Sequence, residues 1–282
     1  MKCGNLRFGP AGKPIDLAGD LLEAPSFLKS IGLDAMEYEA VRGVNISKER
    51  AEKLGSLAKE NGIVLSMHAP YYINLSAVER EKVESSIKRL LDALQASSWM
   101  GSYVVVFHPG YYLDWGVKEA VSRVIQALKD VRERSEALSA GGVWLGPETT
   151  GKAKQVGSVD DVIEICREVS RCRPVVDWAH LHARSLGKFP KDPGDVAKVV
   201  ERLESELGKE AIDPLHTHFS KIEYTRGGEK EHHTLDEKDY GPEFKDVCEA
   251  YKEVGVNAVI ISESPVLERD ALKMKKICEE IC

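Results

Sequence analysis

Short apolar runs alternate along the chain with longer stretches in which apolar residues recur every three or four positions, and the two periods predict strand and helix in turn. Strands are expected over residues 2–8, 35–38, 64–68, 103–108, 143–148, 174–177, 214–220 and 258–263. Helices are expected over 24–31, from the Ser47 cap to 61 with Gly62 closing it, and over 77–100 and 117–139. Further helices follow from Ser158 onward and over 195–207, 242–254 and 267–281.

Eight strands with about as many helices form the pattern of a (β/α)8 TIM barrel, here one α/β domain over residues 1–282. A doubly wound open sheet would also alternate in this way. No glycine-rich turn follows the first strand, so nothing marks a dinucleotide site. Apolar residues make up 43% of the 282, with no run near the length of a membrane span, which predicts a soluble chain. The start lacks the charged, apolar and small-residue order of a signal peptide, so the expected location is cytoplasmic. The six cysteines show no Cys-x-x-Cys pair and are expected as buried or incidental thiols. A net charge of −7 excludes a protein basic all over that coats nucleic acid, though not a local basic site.

The chemistry gathers at strand ends. Residues 175–182 read Val-Val-Asp-Trp-Ala-His-Leu-His, an apolar run stopping at Asp177 with His180 and His182 just beyond. All eight histidines lie at or just past predicted strand ends, and none lies on a predicted helix: His68, His108, His180, His182, His216, His218, His232 and His233. Glu148, Asp177 and Glu263 close the fifth, sixth and eighth strands. In a barrel these ends converge on one face, where oxygen and nitrogen donors together make a site for divalent ions. Such a site suits phosphodiester hydrolysis or, with fewer ions, sugar isomerisation.

Five segments carry a resemblance: Ser66-Met-His-Ala-Pro-Tyr-Tyr-Ile-Asn-Leu75, Phe107-His-Pro-Gly110, Leu145-Gly-Pro-Glu-Thr-Thr-Gly151, Asp177-Trp-Ala-His180 and Ile261-Ser-Glu-Ser-Pro265. Over nearly its whole length the chain resembles the endonuclease IV family of apurinic/apyrimidinic endonucleases. The resemblance implies a zinc-dependent phosphodiesterase, with two or three Zn2+ ions and Mn2+ as a substitute, that cuts damaged double-stranded DNA on the 5′ side of an abasic site. It further implies that His68, His108 and Glu148 hold one ion, that Glu148, Asp177, His216 and Glu263 hold a second, and that His180 and His232 serve a third. Glu148 and Glu263 are the carboxylates expected at the chemistry. Tyr71, Arg42, His218 and Lys221 are expected at the substrate, with Asn74 fixing the loop that carries Tyr71. His216 and His218 share one strand face, so either can be the ligand; the resemblance favours His216, whose distance to Ser220-Lys221 matches that in the family.

The chain departs from the family in two places. Where the third ion there takes an Asp-x-His pair, this chain has Glu229-Lys-Glu-His-His233, so His232 competes with a Glu231-x-His233 pair. After the second strand stands only Glu39-Ala-Val-Arg-Gly-Val44, where the family is expected to carry several basic and aromatic residues that press into a minor groove; Arg42 can still insert, with Glu39 beside it repelling phosphates. Lys152, Lys154, Arg184, Lys188, Lys191, Lys221, Arg226 and Lys230 all follow strands five to seven, which predicts a basic rim on an acidic body. The expected mechanism is metal-assisted hydrolysis without a covalent intermediate, by a monomer. The competing expectation is a xylose-isomerase-like sugar isomerase or epimerase built on the same barrel face.

Overall fold

The structure, a computed structural model, describes residues 4–282. The parallel strands are β1 (Leu6–Pro10), β2 (Ala35–Glu39), β3 (Val64–His68), β4 (Val104–Phe107), β5 (Trp144–Pro147), β6 (Val175–Asp177), β7 (Leu215–Phe219) and β8 (Ala258–Ser262). They pair in two runs, β2-β3-β4-β5 and β1-β8-β7-β6. Parallel bridges Ala11↔Glu37 and Glu148↔Val175 join the runs and close the eight strands into a barrel. The expected first strand begins on residues outside the described part, and the strand that forms extends to Pro10. At Gly9 the β1 backbone comes so close to β2 that an added Cβ would meet the Ala35 carbonyl.

The helices outside the barrel form where capping and periodicity agree. Ser47 accepts a hydrogen bond from the Arg50 amide and Gly62 ends the same helix in the left-handed region, so Lys48–Asn61 is bounded as its sequence dictates. Ser158 and Asp161 form a reciprocal capping box at the start of Val159–Glu168. Leu54, Leu90, Leu94, Val121, Val124 and Leu128 are fully buried, which places the core between the helix layer and the strands. Among the described residues no helix is long and apolar enough to cross a membrane.

Three local features differ from expectation. Trp178–Arg184 is a short helix, capped by the Asp177 side chain, so His180 and His182 stand on a helix after all. The Trp178 ring, fully buried and donating to the Tyr251 hydroxyl, anchors that turn inside the fold. After β7 the chain forms an antiparallel hairpin, Lys221–Thr225 against Gly228–His233. The cysteines are not all incidental thiols: Cys248 and Cys278 form a disulfide between two outer helices, whereas Cys166 and Cys172 are free and buried with their sulfurs 2.8 Å apart.

Candidate metal centre

Glu148, one residue past β5, is the hub of the barrel mouth. It is fully buried. One carboxylate oxygen lies 2.9 Å from His108 Nε2 and 3.3 Å from His68 Nε2, and the other lies 3.0 Å from His218 Nδ1 and 3.4 Å from His180 Nδ1. Burial alone would raise this carboxyl, but His218 and His108 beside it hold it well below the ordinary range. Burial likewise opposes a proton on His68, yet Glu148 and Glu39 raise its pKa to about 10.

Three groupings of donors surround this hub. His68, His108 and Glu148 make the first; Glu148, Asp177, His218 and Glu263 the second; His180, His232 and Glu263 the third. Glu229 adds to the third, its carboxylate 3.3 Å from His180 Nε2. The imidazoles are oriented from behind: His68 Nδ1 contacts the Ala69 carbonyl at 2.8 Å and His180 Nδ1 the Thr149 carbonyl at 3.0 Å. In both rings that leaves Nε2 for an ion.

Divalent cations fit this donor set. Glu148 and Asp177 are fully buried and the Glu263 side chain is 17% exposed, while Lys152 meets Glu229 at 3.2 Å. One oxygen of Asp177 is buried with no hydrogen-bond partner, while the other accepts from the His180 amide at 2.6 Å. Burial, with Glu263 and Glu148 adding to it, pushes Asp177 up to about 7, and a bound cation would relieve all three. Mixed oxygen and imidazole donors are the chemistry of zinc or manganese.

Placement of the expected residues is uneven. His68, His108, Glu148, Asp177, His180, His232 and Glu263 come together. His218, not the preferred His216, is grouped with Glu148, Asp177 and Glu263, while His216 is grouped with Glu37 and His218. Register pairs His218 with Asp177 but His216 with Val175, one inward-facing layer deeper. His216 therefore meets Glu37 and Tyr103 instead.

The hairpin settles the facing of the other pair. Glu223 pairs with Glu231 and Tyr224 with Glu229, so Lys230 is the extra residue of a β-bulge. Glu229 and His232 therefore share the inner face, and Glu231 and His233 gather with Glu223 on the other. Sequence spacing alone missed Glu229, because the bulge makes the inward pair Glu-x-x-His.

Lys221 lies on the outer face with His233, where its ammonium meets the Glu237 carbonyl at 3.0 Å and the Glu243 carboxylate at 2.8 Å. Its expected place at the substrate is corrected accordingly. The basic rim is also thinner than expected. Arg184 is tied to the Lys152 and Gln155 carbonyls and the Tyr112 hydroxyl, and Lys152 and Lys230 pair with Glu229 and Glu223. Lys154, Lys188, Lys191 and Arg226 are exposed. Arg42 is exposed after β2, and the Tyr71 ring, 59% exposed, stands edge-on 5.8 Å from His108. The Asn74 carbonyl oxygen accepts from the Ser76 hydroxyl at 3.1 Å, which braces the loop carrying Tyr71.

Comparison with known proteins gives this geometry its setting. An uncharacterised protein of Methanocaldococcus jannaschii is 40% identical over 276 residues, 98% of both chains. A probable endonuclease 4 of Halothermothrix orenii is 26% identical over 245 residues, covering 77% of this chain and 85% of that protein. Among solved structures a D-tagatose 3-epimerase-like protein superposes with a TM-score of 0.69 at 22% identity, over 99% of this chain and 96% of its own, a likeness of fold alone. Residues 25–278 match the description "xylose isomerase-like TIM barrel", and the chain belongs to that family.

Proposed function

We propose that this protein is a metal-dependent phosphodiesterase of endonuclease IV type, hydrolysing DNA 5′ to abasic sites. The observation that carries the proposal is the number of donor groupings: three sets share Glu148 and Glu263 at one barrel mouth. A sugar isomerase working with one or two ions would leave His68 with His108, or His180 with His232, without a task. The relative named a probable endonuclease 4 supports the same reading.

Zinc ions held there would lower the pKa of a water and neutralise charge on the phosphate. The chain's own residues do the rest. Glu148 and Glu263 keep neighbouring groupings in register, each belonging to two of them. Tyr71 offers an exposed ring beside His108 against which an extruded sugar can rest. Lys154, Lys188, Lys191 and Arg226 are exposed lysines and arginine available to the phosphate backbone, which makes binding weaken as salt rises.

One feature favours the sugar reading. Glu39 ends β2 with a buried, unpartnered oxygen, and burial pushes its pKa up to about 8, as suits a proton-transferring base. A duplex bearing a single abasic site, incubated with zinc-loaded protein beside an undamaged duplex, separates the two. Incision at the lesion leaving a 3′ hydroxyl is expected. Intact duplexes in the presence of protein that binds its ions would transfer the assignment to a sugar substrate.

A further inference from the structure

Beneath the metal centre lies a polar column, Glu37 with His216 and His218, that is itself a further grouping of donors. Glu37 from β2 and His216 and His218 from β7 are all fully buried inside the barrel, where branched aliphatic side chains are usual. Glu37 divides its carboxylate between two imidazoles: one oxygen is 3.0 Å from His218 Nε2 and the other 3.1 Å from His216 Nε2. The far nitrogen of His216, Nδ1, lies 2.5 Å from the Tyr103 hydroxyl. The Arg173 guanidinium sits over the Tyr103 ring at 5.2 Å and closes the column below.

We propose that Glu37, with His216 and Tyr103 behind it, is a positioning group that fixes the His218 ring in the tautomer presenting Nδ1 to the metal centre. The argument rests on the reading of the barrel mouth as a metal centre and follows from counting protons. A ligating imidazole gives its lone pair to the ion, so an ion held at His218 Nδ1 leaves the ring hydrogen on Nε2, 3.0 Å from Glu37. His218 then has its lone pair on Nδ1, the nitrogen 3.0 Å from both Glu148 and Glu263. The opposite tautomer would fill the metal side with a proton and set the Nε2 lone pair against Glu37, whereas an ion at Nδ1 would stand between that nitrogen and the carboxylates of Glu148 and Glu263.

His216 obeys the same count. Its Nε2 hydrogen goes to Glu37, so Nδ1 is the acceptor for the only hydrogen that Tyr103 can donate. The sequence runs in one direction: phenol to His216, His216 to Glu37, and His218 to Glu37 from the other side. Glu37 is thus held through the oxygen to which His216 donates, which keeps its other oxygen 3.0 Å from His218 Nε2. This is the arrangement by which outer groups orient metal-ligating histidines. It gives the buried carboxylate of β2 a purpose that packing does not.

Two measurements test the proposal on the full chain. Long-range proton–nitrogen NMR of histidine-labelled, zinc-loaded wild type reads the tautomer directly and needs no variant. His218 with zinc on Nδ1 and hydrogen on Nε2 is the expected result, and the reverse would overturn the proposal. Zinc titration against a chromophoric chelator then compares wild type with Glu37→Gln and with the milder Tyr103→Phe. Gln offers an amide NH2 to one imidazole, so the ion at Glu148, Asp177, His218 and Glu263 should bind roughly 10–100-fold more weakly, with the number of ions unchanged.

Tyr103→Phe should weaken the same ion less. Unchanged affinity in a folded Glu37→Gln protein would refute the positioning role while leaving the metal centre standing. Loss of one whole ion at unchanged affinity for the others would mean that Glu37, His216 and His218 themselves hold a cation, which also overturns it. A wild type that takes up no zinc would remove the metal centre and this proposal together.

Discussion

Replacing Glu148 by Gln is the most informative single change, because one side chain serves two donor groupings. Gln keeps the volume and one carbonyl oxygen but turns the other oxygen into an NH2 that cannot bind a cation. In the structure the two oxygens face different partners, one toward His68 and His108 and the other toward His180 and His218, so one of the two groupings must lose its oxygen donor and the other its negative charge. Apparent zinc-binding energies of about 10–16 kcal/mol spread over four ligands give roughly 3 kcal/mol per ligand, or more than a hundredfold in Kd. Two weakened ions therefore remove about 6 kcal/mol of ligand-linked stability at saturating zinc. With an unfolding entropy of about 0.6 kcal/mol/K for a chain of this length, the zinc-loaded melting temperature should fall by about 10 °C. Differential scanning calorimetry with and without zinc reads this directly, beside the metal content after dialysis. If Glu148→Gln keeps both the ion count and the zinc-induced rise in melting temperature, Glu148 is not shared between ions and the hub is wrongly drawn.

Two further outcomes follow from particular residues. In the metal-free protein His68 is raised to about 10, Asp177 to about 7 and Glu39 to about 8, each above its unfolded value. Their contribution to stability is present below the unfolded pKa values and is lost as pH rises through the folded ones, so the metal-free melting temperature should fall between about pH 5 and pH 9. Zinc requires deprotonated ligands, so the gap between loaded and metal-free melting curves should widen over that interval, and a constant gap would contradict the assignment of these groups. Lys221→Ala should destabilise the fold by about 1–2 kcal/mol in chemical denaturation through its lost bonds to Glu237 and Glu243. The same variant should leave substrate KM unchanged, and a raised KM with unaltered stability would return Lys221 to the substrate.

Much of the fold was legible because strand and helix differ in period, and most donors were legible because a histidine or carboxylate closing an apolar run has few other uses. What escaped was depth and facing. His216 and His218 are indistinguishable to a two-residue period, and only the register against β6 shows which of them is level with Asp177. Glu37 goes unremarked in the sequence, because nothing local announces that its partners come from β7 across the barrel. Glu229 was hidden by the bulge. Lys221 illustrates the opposite error, since a lysine beside a strand end suggests a phosphate contact until the hairpin turns it, buried, toward Glu237 and Glu243. The disulfide between Cys248 and Cys278 joins helices whose proximity is purely tertiary.

The bulge at Lys230 bears on how this site tolerates change. In a plain hairpin, gaining or losing one residue inverts every side chain beyond that point, and one of the hairpin's two donors would turn away from the centre. Here the additional residue is taken up locally, so that Glu229 and His232 face the centre across a three-residue interval just as a two-residue interval would set them. The hairpin is thereby length-tolerant. Related chains can differ by one residue at this turn while presenting the same pair of donors to His180.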